Sequence, residues 1–236
     1  MTTTFQGFTQ QGLDFLRDPA ENNNREWFAG HKAVYSEHLY VPMKQLVLAV
    51  NPVMEELDPN VSTNPARTVS RIHRDTRFAR DKTPYKTAMW FAYKRPVENW
   101  AEIPVYFFEI KAEEYSYGMG FYPASSATMR QFRSMIDADP NKFLATIPFY
   151  KRGRTFKLET EDYKRPIPRP HGDGIAPWYR CKTFALICRK PNYCAGGTLD
   201  KTLFSKKPVD VLVDGFVRLK PLYDFLWQAY DRANSL

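Results

Sequence analysis

Apolar residues change their period at about Pro65, and that change does most to set the fold class. After Pro42, which suits a helical first turn, Leu46, Val47, Val50, Met54 and Leu57 recur at three- and four-residue steps until Asp58-Pro59 stops the pattern. Beyond Pro65, β-branched and aromatic residues dominate, and strands are expected at 68–78, 87–94, 103–111 and 114–122. The short connections between them favour antiparallel pairing. Helices followed by strands, rather than strict alternation, predict an α+β fold: a mainly antiparallel sheet with N-terminal helices and further helices packed on the sheet.

Local signals fill in the rest. Thr9 suits the cap of a helix carrying Leu13 and Leu16, and Asn24 the cap of another carrying Trp27, Val34 and Tyr35. Ser125 or Ser126 opens a helix to about Ala138, and Pro140-Asn141 a shorter one. The segment P-V-Y-F-F-E-I-K is apolar on both faces and predicts a central strand with protein on either side. Residues 150–175 read as one or two edge strands with loops, whereas C-K-T-F-A-L-I-C-R suits a strand or a buried helical turn. From Val209 onward an amphipathic helix is expected, with Pro221 bending or breaking it, and 18 Pro residues argue against long uninterrupted helices.

With 236 residues, 43% of them hydrophobic, the chain suffices for one globular domain spanning 1–236, its helical part at about 9–58. Cys181, Cys188 and Cys194 follow neither a C-x-x-C knuckle nor a disulfide framework, which predicts reduced thiols and no metal site. The start M-T-T-T-F-Q-G-F has neither the basic nor the apolar region of a signal peptide, and no apolar run is long enough to span a bilayer. A cytoplasmic protein with no membrane partner is expected.

The net charge of +8 is unevenly placed. Residues 67–95 hold nine Arg or Lys against two Asp, and residues 150–190 hold eleven against four Asp or Glu. Within the first segment, R-I-H-R-D-T-R-F-A-R-D-K-T-P-Y-K runs from Arg71 to Lys86. Read as a strand, it puts Arg71, His73, Asp75 and Arg77 on one face and Ile72, Arg74, Thr76 and Phe78 on the other, next neighbours roughly 7 Å apart. Asp75 would then hold flanking guanidinium groups in fixed orientations, making a receptor for phosphate or carboxylate. Arg74 shares its face with Ile72 and Phe78, so burial would oblige it to find an anionic partner.

The string R71-x-x-R74-D75-x-R77-F78 followed by D81-K82-x-x-Y85 resembles the signature of a bacterial family of conserved proteins of unknown function, found also in some fungi. N22-N23-x-R25-E26-W27-F28 and G118-x-G120-x-Y122 are similar to further parts of that family. The resemblance implies no reaction, cofactor or substrate; it marks positions to watch. Taken alone, the N-N-N-R-E-W-F run is explained mainly by capping and core packing, and Gly118 and Gly120 by a bulge or a close backbone approach.

The expected function is binding of a phosphorylated or other anionic small molecule through Arg71, Arg74, Arg77, Lys82, Tyr85 and Lys86. Were the protein an enzyme, His73 and Tyr85 would be the proton-transfer candidates and Asp75 would orient the cations. No cofactor is indicated. The alternatives are a nucleic-acid-binding module, suited by the basic segments and abundant aromatics, and a non-catalytic protein whose Arg–Asp network only fastens a loop.

Overall fold

A computed structural model describes residues 4–18, 22–77, 80–153, 155–165, 167, 171–193 and 200–235, the side chains of 151 and 152 excepted. Phe78 and Cys194 lie outside the described residues.

The N-terminal helices start where their capping residues stand. Thr9 accepts a hydrogen bond from the Gly12 amide at the head of α1 (Gln10–Arg17), and Asn24 does so from the Trp27 amide at the head of α2 (Arg25–Tyr35). A π-helical turn, Ser36–Tyr40, carries α2 directly into α3 (Val41–Leu57), which Asp58 ends by turning extended. Pro52 lies inside α3 without ending it. It is exposed, as is Leu48 four residues earlier, whose unpaired carbonyl water can satisfy.

The expected strand at 68–78 does not form. Asn64 caps a short helix, α4 (Pro65–Thr68), and only isolated bridges follow, Val69 with Phe91 and His73 with Tyr85. Side chains supply the reason: Asp75 accepts from the Arg77 amide and Asp81 from the Thr83 amide, turning the chain instead of extending a ladder. The expected alternation survives in part as burial, with Ile72 buried and Arg74 half-buried between exposed Arg71, His73 and Asp75.

The sheet contains β1 (Ala88–Tyr93), β2 (Val105–Lys111), β3 (Glu114–Gly120), β4 (Lys157–Asp162) and β5 (Cys181–Pro191) in the order β1-β2-β3-β5-β4, antiparallel as expected. β2 is interior, but β3 is the middle strand. The faces of β2 are also unequal, since Tyr106, Phe108 and Ile110 are buried while Val105 and Phe107 are half-exposed. β4 forms an edge with Thr160 opposite Phe184, and the C-K-T-F-A-L-I-C-R segment is strand. Helices α5 (Ser126–Ala138, capped by Ser125), α6 (Pro140–Thr146), α7 (Pro148–Arg152) and α8 (Ala176–Tyr179) precede the terminal α9 (Lys207–Asn234). α9 runs 28 residues, correcting the expectation that prolines would keep helices short. Pro221 repeats the arrangement of Pro52: it is exposed, and so is Val217 four residues back.

Backbone packing divides the chain into two compact units, one of Met1–Tyr93, Phe107–Tyr117 and Arg189–Val213, the other of Lys94–Tyr106, Gly118–Cys188 and Asp214–Leu236. In the first, Phe91 stacks on Phe108 with centroids 5.4 Å apart, and Tyr93 donates to the Val47 carbonyl at 2.8 Å. In the second, Phe132, Phe143, Trp178, Phe184 and Phe225 make a continuous aromatic cluster. No described helix is long and apolar enough to cross a membrane.

Candidate functional site

The site lies within the first unit and is assembled by Asn23. Its side-chain amide donates to the Tyr85 carbonyl at 2.9 Å, and its side-chain oxygen accepts from the Tyr85 amide at 2.9 Å. One side chain therefore does for Tyr85 what a paired strand would do. The clamp sets Tyr85 beside α2, where its ring stacks on Phe28 with centroids 4.3 Å apart, and His73 lies 5.2 Å from the Tyr85 ring. Two backbone bonds complete the frame, Arg74 amide to Pro84 carbonyl and Lys86 amide to Ile72 carbonyl. Between these paired segments, residues 75–77 and 80–83 leave the ladder as loop.

A cleft of about 720 Å³ opens here, lined by Asn23, Asn24, Arg25, His73, Arg74, Thr76, Lys82, Pro84 and Tyr85. Among the described residues its lining carries three cations and no carboxylate. Asn24 and Arg25 are the cap and first residue of α2, so the positive end of that helix faces the same space. Arg74 donates through Nη1 to Asp81 at 2.6 Å, and its half-buried guanidinium keeps further N–H groups that an acceptor in the cleft can meet. Lys82 donates to the Thr76 carbonyl at 2.8 Å and, like Arg25, meets no carboxylate among the described residues.

Of the residues singled out in the sequence, Arg74, Lys82, Tyr85 and His73 line the cleft, whereas Arg71, Asp75, Arg77 and Lys86 do not. The Lys86 ammonium instead donates to the Arg71 carbonyl at 2.7 Å; burial, then the charges of Arg71 and Arg74, lower its pKa. Asp75 does not tie several guanidinium groups together: its hydrogen bonds among the described residues come from Arg77, at 3.0 Å from Nε and 2.7 Å from Nη2. It is Asp81 that holds Arg74. Asn23, Asn24 and Arg25 take a larger part than capping and packing gave them, and the readable signal was the N-N-N-R run preceding Trp27.

The Arg77 guanidinium, then its amide, hold the Asp75 carboxyl down to about 2 from the ordinary 3.8. The stabilisation from this exposed pair is present above the ordinary value and is lost as pH falls through about 2. A carbon-detected NMR titration of Asp75 is expected to show its midpoint near 2, returning to the ordinary range in Arg77→Met. An unchanged midpoint in that variant would break the assignment.

The thiols offer no second reactive centre among the described residues. Cys181 and Cys188 are buried and free, and burial pushes Cys181 up to about 12. No cluster of three or more His, Cys, Asp or Glu able to hold a metal ion occurs among the described residues.

Fold and cleft together define an α+β protein with a basic cleft at the head of a helix. The chain belongs to the family described as Conserved hypothetical protein (DUF2461), whose model matches residues 11–225. A search of curated proteins finds no match to it.

Proposed function

We propose that this protein binds a phosphorylated or other anionic small molecule in the cleft lined by the head of α2, Arg74, Thr76 and Lys82. The observation that carries the reading is the cleft's lining, which among the described residues holds three cations, Arg25, Arg74 and Lys82, and no carboxylate. The volume falls within the range of small-molecule sites. In this reading Arg25 and Lys82 neutralise the guest and Arg74, its charge shared with Asp81, donates a hydrogen bond to it. His73 and Tyr85 stand at the wall as the groups able to move a proton.

Thermal unfolding of the wild-type chain and of Arg74→Ala, with a panel of phosphorylated and carboxylated compounds at low salt, tests this. A guest at a hundredfold its Kd adds about 2.7 kcal/mol, roughly 5–10 °C in Tm for a chain of this size. Arg74→Ala is expected to weaken binding about ten- to hundredfold, the usual worth of a hydrogen bond to a charged group. Absence of any response in the wild type would overturn the reading.

The structural alternative also has support, because Arg74–Asp81 and Arg77–Asp75 are ion pairs within the loop itself. It predicts a lower Tm for Arg74→Ala and no guest response. A nucleic-acid module would instead respond to any oligonucleotide, with affinity falling steeply as salt rises.

A further inference from the structure

We infer that the cleft selects a doubly charged phosphate monoester over singly charged guests; this rests on the anion-binding reading above. Charge bookkeeping within the lining leads there. Asp81 is the only carboxylate bonded to a lining cation among the described residues, and it answers Arg74. Arg25 and Lys82 meet no carboxylate among the described residues, so two positive charges of the described lining face the cleft after that pairing. A single negative charge would leave one uncompensated, whereas a phosphate monoester brings about two near neutral pH.

Donor geometry agrees with the charge. Three peripheral oxygens of a monoester need donors from several directions. Those at hand come from separate parts of the chain: the Arg74 guanidinium, the Lys82 ammonium, the Thr76 hydroxyl and the head of α2. The Arg25 and Glu26 amides there belong to the first turn, which has no acceptor within its own helix. A carboxylate has two oxygens in one plane and a diester two unsubstituted ones, so neither takes up donors spread in this way. Asp81 takes Arg74 Nη1, the Thr83 amide and the Thr83 hydroxyl as its donors, and so leaves Arg25 and Lys82 to the guest.

The test is calorimetric titration of the full chain with phenyl phosphate, methyl phenyl phosphate, benzoate and inorganic sulfate, at pH 7.5 and 5.0. Phenyl phosphate is expected to bind at least about tenfold tighter than its methyl ester at pH 7.5. Its second ionisation near pH 6 leaves about a tenth of it doubly charged at pH 5.0, so its affinity should fall about tenfold relative to sulfate, which keeps both charges. Taking the ratio to sulfate removes changes on the protein side, from His73 on the wall or from Glu26, Asp81 and Tyr85 around it. Lys82→Met, at an exposed position, should narrow the monoester-to-diester ratio without unfolding the chain. Equal affinities for monoester, diester and benzoate would overturn the selectivity and leave the anion site standing. No binding of any of the four would overturn both.

Discussion

Gly118→Ala is expected to destabilise the chain by about 3 kcal/mol or more, the upper part of the range for overpacking in a filled core. A Cβ placed on Gly118 would stand 1.8 Å from the Leu186 carbonyl oxygen and 2.9 Å from its carbon. Gly120 is scarcely freer, since a methyl there would stand 2.5 Å from the Ala185 Cα. The obstacle in each case is the backbone of β5, which cannot rotate aside as a long side chain would. Neither glycine has a positive φ, so the demand is for space alone. Urea unfolding followed by tryptophan fluorescence should register the loss, with Tm lowered by roughly 6–12 °C at 2–4 °C per kcal/mol. A change below about 0.5 kcal/mol, the scale of neutral surface substitutions, would mean that β3 and β5 do not approach this closely.

Asn23→Ala is expected to cost about 2–4 kcal/mol, because it leaves both the amide and the carbonyl of a buried residue without their partner. Tyr85 is only 3% exposed, so water is a poor substitute. Asn23→Asp separates the two halves of the clamp. Its carboxylate still accepts from the Tyr85 amide but has no donor for the carbonyl. Hydrogen exchange at the Tyr85 amide should therefore stay slow in Asn23→Asp and become fast in Asn23→Ala. Both variants are expected to weaken guest binding, since Asn23 and Tyr85 form part of the cleft wall. Unchanged exchange in Asn23→Ala would remove the clamp from the account.

What could be read from the sequence was mostly local. Thr9, Asn24 and Ser125 cap helices because their side-chain oxygens meet amides three residues ahead, within reach of any short-range pattern. The strand expected at 68–78 failed for a reason of the same range. Asp75 and Asp81 offered neighbouring amides a rival partner, and composition alone gave that rivalry too little weight. At the cleft, Arg74, Lys82, Tyr85 and His73 were legible as one dense basic string. Their convergence with Asn23 and Arg25 was not, because hydrophobic periodicity carries no information about a hydrogen bond between residues 62 apart. Arg71, Arg77 and Lys86 share the string without lining the cleft, which shows the limit of reading proximity in sequence as proximity in space.

The long span of the Asn23–Tyr85 bond also bears on how the chain comes off the ribosome. Helices α1 to α3 can emerge and coil while the tyrosine they await is still untranslated, and closing so distant a contact is slow compared with winding a helix. A nascent fragment stopped short of residue 85 would thus be helical yet lack the clamp that closes the cleft wall.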